Sequence, residues 1–202
     1  ADGSVALTLG VVDAPVFPRS SNKPLQAVGL LDAGWEPVDQ EVLALATASH
    51  SGEERHLEVV RRSLAAAGLS EAALQCPALL PLSEPAAHAL LASGGTASRL
   101  TMNCSGKHAA MLATCVQRGW PVQDYLRPEH PVQQAMTATI ERLAAEPVEH
   151  LAVDGCGAPQ HALTLLGLAF TAEVPGVFSE DWWIYYGLLQ SYSVPTILGG
   201  IG

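Results

Sequence analysis

The chain has 202 residues, of which 49% are hydrophobic and 15% are charged. This composition predicts a sizeable buried core and argues against an intrinsically disordered protein. Twenty acidic against ten basic residues give a formal net charge of −10, which argues against a protein that binds a nucleic-acid backbone through a basic face. Lys23 and Lys107 are the only lysines, so the surroundings of each are informative.

The cysteine spacing and the hydropathy pattern indicate a soluble, cytoplasmic protein. Four cysteines are too few for a disulfide scaffold, and their spacing matches no secreted framework. The sequence does not open on a basic segment followed by an apolar one, as a signal peptide would. The uncharged stretch 182–202 contains Gln190, Pro195 and four glycines, which makes it a poor membrane span. We therefore expect no nucleic-acid partner and no membrane partner.

The predicted elements begin with a strand at 5–12, which the turn residues 13–15 end. A helix follows at about 23–31, with Gly34 as its stop. The apolar run 42–47 is compatible with either a helix or a strand.

Ser51 and Glu54 form a capping box, which predicts a helix that continues to Gly68. Its apolar residues recur at helical spacing at Leu57, Val60 and Leu64. The proline-containing stretch 76–85 is predicted to be a turn-rich connection.

The second half of the chain predicts two further helices before a glycine turn. The first spans about 108–117 and ends at Gly119, and the second starts at Pro131 with an apolar face formed by Val132, Met136, Ile140 and Leu143. Residues 151–154 are predicted to be a short buried strand that leads into the turn 155–157. A last helix is expected at about 160–168.

The composition changes abruptly near residue 170. We assign 1–170 to one domain and treat 171–202 as an atypical, aromatic-rich tail. That tail has no lysine or arginine but holds six of the eleven aromatic residues, at Phe178, Trp182, Trp183, Tyr185, Tyr186 and Tyr192. Two interpretations remain open: the tail is an apolar cover, or it is not in the same reading frame as the rest.

The first lysine belongs to an S-x-x-K motif formed by Ser20 and Lys23. At the start of a helix, a serine and a lysine three residues apart lie on one face, so the amine can reach the hydroxyl. A lysine serves as the base for a serine nucleophile when burial lowers its pKa. The alternative is a capping serine followed by a surface lysine.

The second lysine lies in the segment Asn103-Cys104-Ser105-Gly106-Lys107-His108. A phosphate-binding loop is rejected because Thr101 stands where such a loop requires glycine. Cys104 together with Cys156, which lies in its own glycine turn, supplies two possible zinc ligands. The alternative is a pair of buried free thiols.

A third cluster, Ser49-His50-Ser51, precedes the predicted capped helix. Its serines have two interpretations, as helix caps or, for Ser49, as a second hydroxyl in a proton relay. No spacing in the chain fits a Ser-His-Asp triad specifically.

Four segments in order resemble the L-asparaginase II family: PRSSNKPLQ (18–26), ASHSGEERH (48–56), MNCSGKHAAML (102–112) and VDGCGAPQHAL (153–163). The resemblance runs from about residue 5 to residue 168. It implies an α/β (α+β) fold with helices packed on a mixed or antiparallel sheet, like that of serine β-lactamases and glutaminases. The implied activity is the hydrolysis of L-asparagine to L-aspartate and ammonia.

The resemblance also implies roles for individual residues. Ser20 corresponds to the nucleophile, Lys23 to its base and Ser49 to the second active-site serine. Arg19 suits a contact with the substrate's carboxylate, and Asp154 suits its ammonium group. Further residues of the same motifs are assigned to substrate binding: His50, Ser51, Asn103, His108 and Gly155.

Cys104, Lys107 and Cys156 match a zinc site of the family, in which a water completes the coordination. A lysine ligates a metal only as the neutral amine. No nucleotide or organic cofactor is expected, and the family suggests a homodimer.

One departure from the family concerns a further catalytic lysine, which its members carry in a glycine-rich motif near the C-terminus. This sequence has no lysine after Lys107, so we expect the fold to be incomplete at the C-terminus. The alternatives are an inactive, zinc-holding fragment, or a glutaminase or β-lactam hydrolase that uses the same S-x-x-K chemistry.

Overall fold

The computed structural model describes residues 10–171, and about half of this part of the chain is helical. The helices are α1 (Lys23–Asp32), α2 (Gln40–Ala46), α3 (Glu54–Ala66), α4 (Glu84–Ala92), α5 (Ser105–Arg118), α6 (Pro131–Ala144) and α7 (Leu165–Thr171). The strands are β1 (Pro15–Val16), β2 (Leu151–Val153), β3 (Pro159–His161) and β4 (Leu163–Thr164). Short 3₁₀ turns occupy Arg19–Asn22 and Glu71–Ala73.

The described strands form two small antiparallel sheets. β1 pairs with β4, so that Pro15 lies opposite Thr164, and β2 pairs with β3, so that Leu151 lies opposite His161. Helices together with antiparallel strands agree with the coarse α+β class. The predicted tail 171–202 lies outside the described residues, apart from Thr171.

Local signals explain where the helices begin and end. The Asp39 carboxylate accepts a hydrogen bond from Val42 N at 2.8 Å and caps α2, which settles the ambiguous run 42–47 as a helix. Pro131 begins α6 as predicted, and Gly119 ends α5 in the left-handed region at φ +67°. The predicted helices at 23–31 and 108–117 are confirmed, although α5 starts three residues earlier, at Ser105.

Three predictions about elements were wrong, and a fourth is tested only in part. Residues 10–12, the described part of the predicted strand 5–12, are not a strand, and the first strand among the described residues is β1. Ser51 does not cap α3: Glu53 holds the cap position, and the Ser51 hydroxyl donates to the Glu53 carboxylate at 2.9 Å.

The other two errors lie near the C-terminal end of the described chain. β2 is not buried, since Val153 is 79% exposed. The predicted helix 160–168 is replaced by β3, β4 and the start of α7, because β3 forms a hairpin with β2 and β4 pairs with β1, which is distant in sequence.

Close helix packing positions the site. A Cβ added to Gly29 of α1 would lie 2.7 Å from the Met136 Cα atom, so α1 and α6 pack backbone to backbone there. A Cβ on Gly106 of α5 would lie 2.7 Å from the Leu45 carbonyl oxygen at the end of α2. The large core cluster lies between these helices and includes Leu30, Leu64, Met111, Leu112 and Tyr125. A smaller cluster comprises Leu25, Ile140, Leu143, Ala144 and Leu163.

Among the described residues, none of the helices combines the length and the apolar character needed to cross a membrane.

Candidate active site

Lys23 is the first residue of α1, and its side chain is buried at 2% exposure. The 3₁₀ turn that contains Ser20 continues directly into this helix, which places the serine and the lysine one turn apart. Lys23 Nζ donates a hydrogen bond to the Ala48 carbonyl oxygen at 2.7 Å and another to Ser49 Oγ at 2.7 Å. The amine is therefore held between α1 and the loop that follows α2.

Ser49 lies between Lys23 and Ser20. The two hydroxyl oxygens, Ser20 Oγ and Ser49 Oγ, are 2.9 Å apart. The sequence predicted direct reach from the amine to Ser20; the hydrogen bond that the structure provides is to Ser49, which in turn contacts Ser20. The three side chains thus form a continuous hydrogen-bonded chain from amine to candidate nucleophile.

Burial lowers the pKa of Lys23 below its ordinary value, and the nearby charge of Lys107 lowers it as well. The neighbouring Cys104 acts in the opposite direction but does not reverse the shift. A lowered pKa increases the fraction of neutral amine, which is the form that accepts a proton.

Cys104, Lys107 and Cys156 are brought together although they come from two segments of the chain. Cys104 immediately precedes α5, Lys107 lies in its first turn, and Cys156 lies in the turn between β2 and β3; all three are buried. A side-chain hydrogen bond with Cys156 lowers the pKa of Cys104 to about 6 against the effect of burial. The same hydrogen bond, together with burial, raises the pKa of Cys156 to about 11.

This donor set suits zinc chemically, because Cys104 is poised to be a thiolate and the surroundings exclude water. Within residues 10–171, the structure has no group of three or more His, Cys, Asp and Glu side chains that could hold a metal ion. The expected set contains only two such residues and relies on a lysine as the third ligand. The zinc site therefore stays a prediction.

His108 lies beside this cluster and is held by Tyr125. The Gln75 backbone N–H donates to the Tyr125 hydroxyl at 3.0 Å, and the same hydroxyl shares a hydrogen bond with His108 Nδ1, 2.7 Å away. Burial lowers the pKa of His108, while its hydrogen bond with Cys156 opposes the shift. His108 is thus a neutral, fixed neighbour of Cys156.

Arg19 and Asp154 meet at the entrance to the cluster. Arg19 Nη2 lies 3.3 Å from Asp154 Oδ1, with the arginine side chain 69% exposed. Arg19 has a φ of +52°, a strained conformation for a residue other than glycine that often marks functional sites. Cys156 Sγ donates to Asp154 Oδ2 at 3.5 Å, so one carboxylate connects the arginine beside Ser20 to the cysteine cluster. A Cβ on Gly155 would lie 3.6 Å from Arg19 Nη2, so the arginine lies over this turn.

His50 fixes the loop that carries Ser49. The Gly52 N–H donates to His50 Nδ1 at 3.2 Å, so Nε2 carries the proton and donates to Ser105 Oγ at 2.8 Å. Ser105 Oγ donates onward to the Leu100 carbonyl oxygen at 2.8 Å. Burial, followed by the nearby His56 and Lys23, lowers the pKa of His50 to about 3. Both ring nitrogens of the neutral histidine are engaged in these contacts.

Ser51 and Asn103 flank the same loop. The Ser51 hydroxyl donates to Glu53, as described above, and lies 3.4 Å from His56 Nδ1. The Asn103 carbonyl oxygen accepts a hydrogen bond from His50 N at 3.0 Å. These contacts hold the loop in place, and the substrate-binding roles assigned to His50, Ser51 and Asn103 stay predictions.

Several residues that complete this site were not predicted as site residues. Each of them contacts the site from a segment that is distant in sequence: the Ala48 carbonyl and the side chains of Ser105, Tyr125 and Gln160. Gln160, for example, donates to the Arg19 carbonyl oxygen at 3.4 Å. His161 is also buried, and its Nε2 lies 2.8 Å from Thr137 Oγ1. Burial and then Lys107 lower the pKa of His161 to about 4. Because 160–168 was predicted to be a helix, the burial of Gln160 and His161 in β3 was not expected.

One comparison places the chain among known proteins. A family model described as L-asparaginase II matches residues 1–174. A search of curated proteins finds no match.

Proposed function

The chain belongs to the L-asparaginase II family, and we propose that it is an amidohydrolase that converts L-asparagine to L-aspartate and ammonia. The observation that carries the proposal is the buried hydrogen-bonded chain from Lys23 through Ser49 to Ser20. A weakly acidic hydroxyl becomes a nucleophile only when a base removes its proton, and this chain supplies the base.

The proposed reaction begins with neutral Lys23. The Ser20 hydroxyl transfers its proton to Ser49 as Ser49 passes its own to the Lys23 amine. The Ser20 oxygen then forms a bond to the side-chain amide carbon of the substrate. Collapse of the tetrahedral intermediate breaks the carbon–nitrogen bond, and the departing nitrogen takes the proton from Lys23 and leaves as ammonia. Water next attacks the Ser20 ester by the same proton path and releases aspartate.

Arg19 and Asp154 are proposed to orient the substrate. An amino-acid substrate carries a carboxylate and an ammonium group, and the exposed guanidinium next to the Asp154 carboxylate offers a counterpart to each. Because Arg19 immediately precedes Ser20, this contact would bring the substrate's side-chain amide close to the nucleophile.

Cys104, Lys107 and Cys156 are proposed to hold a zinc ion. When bound, zinc supplies a fixed positive charge that can polarise a nearby oxygen. The protein residues around it keep defined roles: His108 holds Cys156 in place, and Asp154 connects the cysteine turn to Arg19. We further propose the serine β-lactamase and glutaminase-like architecture, a cytoplasmic location and a homodimer.

A second candidate is a non-catalytic, zinc-holding protein, which is favoured by the two buried thiols Cys104 and Cys156 that interact beside Lys107. A glutaminase or a β-lactam hydrolase remains an enzymatic alternative, since the Ser20–Ser49–Lys23 arrangement suits either substrate. Ammonia release from asparagine and glutamine, hydrolysis of a β-lactam and metal analysis on one purified sample separate these candidates. Metal without turnover on any substrate would support the non-catalytic candidate.

The central test is Ser20→Ala, with Ser21→Ala as the matched control because Ser21 is the neighbouring, exposed serine. We expect Ser20→Ala to reduce ammonia release from asparagine by about 10³-fold or more, since it removes the atom that forms the ester. Ser21→Ala should stay near the wild-type rate. Retained turnover in Ser20→Ala would disprove the assignment of the nucleophile.

A further inference from the structure

Arg19 has an unusual backbone conformation directly before the proposed nucleophile. Its φ of +52° lies in the left-handed region, which costs free energy for any residue that carries a Cβ atom. Among the described residues other than glycine, only Ala145 shares a positive φ. Ala145 follows the end of α6, where a left-handed residue is common, whereas Arg19 starts a 3₁₀ turn. Contacts from outside the turn must therefore hold Arg19 in this conformation.

The hairpin formed by β2 and β3, residues 151–161, contacts both the side chain and the backbone of Arg19. Asp154, in the turn of the hairpin, lies 3.3 Å from the guanidinium through its Oδ1 atom. Gln160, on β3, donates from Nε2 to the Arg19 carbonyl oxygen at 3.4 Å. Two residues of one hairpin therefore hold Arg19 at two separate points.

Backbone hydrogen bonds hold these two points at a fixed separation. β2 and β3 are antiparallel, with Ala152 opposite Gln160. The turn between them is closed by a hydrogen bond from Asp154 N to the Ala158 carbonyl oxygen at 2.9 Å and by one from Gly157 N to the Asp154 carbonyl oxygen at 2.8 Å. Asp154 and Gln160 thus belong to one hydrogen-bonded unit.

Of the two contacts, that of Gln160 constrains the backbone more strongly. The Arg19 side chain is 69% exposed, and an ion pair of a largely exposed group contributes little to stability. Gln160 is 3% exposed, and a buried amide donor that loses its acceptor is left unsatisfied, which is costly. Its hydrogen bond also acts directly on the Arg19 carbonyl, which belongs to the peptide group that leads into Ser20.

The conformation of Arg19 affects where Ser20 lies. The turn Arg19–Asn22 continues directly into α1, and Ser20 Oγ must remain near Ser49 Oγ, 2.9 Å away, to be linked to Lys23. On the other side of Arg19, β1 is fixed by its pairing with β4. A change in the φ angle of Arg19 therefore displaces the turn that carries Ser20.

From these contacts we infer that Gln160 is a positioning residue, which holds Arg19 in the left-handed conformation and thereby keeps Ser20 aligned with Ser49 and Lys23. The inference rests on the proposed function for the nucleophilic role of Ser20. Gln160 acts through Arg19 and is not itself a catalytic residue.

Two measurements on the full chain report the position of Ser20. The first gives kcat and KM for ammonia release from asparagine. The second is the rate at which a fluorophosphonate labels Ser20, located by peptide mass spectrometry; the Ser20 oxygen forms a bond to phosphorus and fluoride leaves. Labelling requires a correctly placed, activated serine but no asparagine site, so it is independent of the assigned substrate.

Gln160→Met keeps a long, flexible side chain without its amide. We expect the labelling rate and kcat to fall by about 10-fold or more, with KM changed by less than about twofold, because displacing a reacting atom slows the reaction more than it weakens binding. Gln117→Met is the matched control, since Gln117 Nε2 also donates to a backbone carbonyl, that of Glu36 at 3.0 Å, from the C-terminal end of α5. This variant should keep the wild-type labelling rate and kcat.

The Arg19→Gly background separates positioning from a general structural role. Glycine adopts a positive φ without the steric cost, so adding Gln160→Met to Arg19→Gly should slow labelling by less than about threefold relative to Arg19→Gly alone. Circular dichroism verifies that each variant is folded, and Gln160→Leu repeats the comparison where methionine is not tolerated.

Wild-type labelling and kcat in Gln160→Met, or an equal loss of labelling in the arginine and glycine backgrounds, would overturn the inference and leave the proposed activity standing. Labelling that depends on Gln160 in a protein that releases no ammonia from asparagine would support the inference and overturn the activity. A wild type that is neither labelled at Ser20 nor active would overturn both.

Discussion

Ser49 links the buried amine of Lys23 to the hydroxyl of Ser20. Its hydroxyl contacts Lys23 on one side and Ser20 on the other, and its neighbour His50 fixes the surrounding loop to α5. The nearby Ala48 carbonyl accepts the second hydrogen bond of Lys23. One short loop therefore supplies both contacts of the buried amine, which makes it as important to the proposed chemistry as the S-x-x-K motif itself.

Replacing Ser49 with alanine should slow turnover while leaving substrate binding largely intact. The substitution interrupts the proton path between Ser20 and Lys23, and a general base typically contributes 10²–10⁴-fold to the rate. We expect kcat for asparagine to fall by about 10²-fold or more, with KM changed much less. Steady-state ammonia release measures both parameters, and Ser21→Ala again serves as the control. A Ser49→Ala variant with wild-type kcat would show that the proton takes another path.

Ser20 and Lys23 could be predicted from the sequence as a pair because their proximity depends only on one helical turn. The contact of each with Ser49 could not, since it requires the loop after α2 to fold back on the start of α1. Tyr125 illustrates the same limit: it lies in an irregular segment with no motif, and only the packing of α5 places it 2.7 Å from His108.

At the scale of the elements, the site is held where the N-terminal ends of α1 and α5 come close to each other. Lys23 begins the first helix, and Lys107 lies in the first turn of the second. The close approach of α1 to α6 at Gly29, and of α5 to α2 at Gly106, sets the positions of these helices. The glycines at these two helix contacts thus help to set the positions of Lys23 and Lys107 at the ends of α1 and α5.

Gly29→Ala should destabilise the protein by roughly 1–3 kcal/mol, the usual cost of overpacking a tight contact. The added Cβ would lie 2.7 Å from the Met136 Cα atom, and a backbone atom cannot move aside without shifting α6. Urea denaturation followed by circular dichroism gives the free energy of unfolding. Gly155→Ala is the matched control, because its Cβ would meet only the Arg19 side chain at 3.6 Å. Equal stability of the two variants would contradict the backbone contact between α1 and α6.

The elements that the sequence predicts well are those with local signals. Pro131 starts α6, Gly119 ends α5, and the apolar face of α6 is buried as expected. The segment 159–164 was misread because β4 pairs with the distant β1, and because its residues carry no alternation strong enough to indicate strands. Ser51 was misread as a cap because its hydroxyl is directed to the Glu53 carboxylate instead of a backbone N–H.

At the scale of the whole molecule, charge is distributed very unevenly. The ten basic residues include two buried lysines, and the described arginines on α3 pair with acidic neighbours, as Arg62 does with Asp39 at 2.8 Å. Segment 77–98 has Glu84 as its only charged residue, although the chain as a whole carries −10. An acidic surface keeps copies of a protein apart in solution.

Buried histidines make the free energy of unfolding depend on pH. Burial lowers the pKa of His50 from 6.5 to about 3, and that of His161 from 6.5 to about 4. Nearby charges act in the same direction, from His56 and Lys23 on His50 and from Lys107 on His161. In the unfolded chain both histidines regain their ordinary pKa and take up protons below about pH 6.5. The unfolded state therefore binds more protons than the folded state in this range, and acidification favours unfolding.

We expect the histidine contribution to the free energy of unfolding to be at its full value above about pH 6.5 and to fall as the pH decreases toward 5, by up to about 1.4 kcal/mol per pH unit for each of His50, His161 and the equally buried His108. Urea denaturation at several values between pH 7.5 and 5 measures this slope in a range above the titration of most carboxylates. His50→Gln should remove about a third of the histidine contribution to the slope, whatever its effect on absolute stability, because glutamine does not titrate. His88→Gln, at a position whose side chain is 72% exposed, should leave the slope unchanged. A His50→Gln variant with the wild-type slope would show that His50 is not held neutral in the folded protein, and would place the pH dependence in other groups.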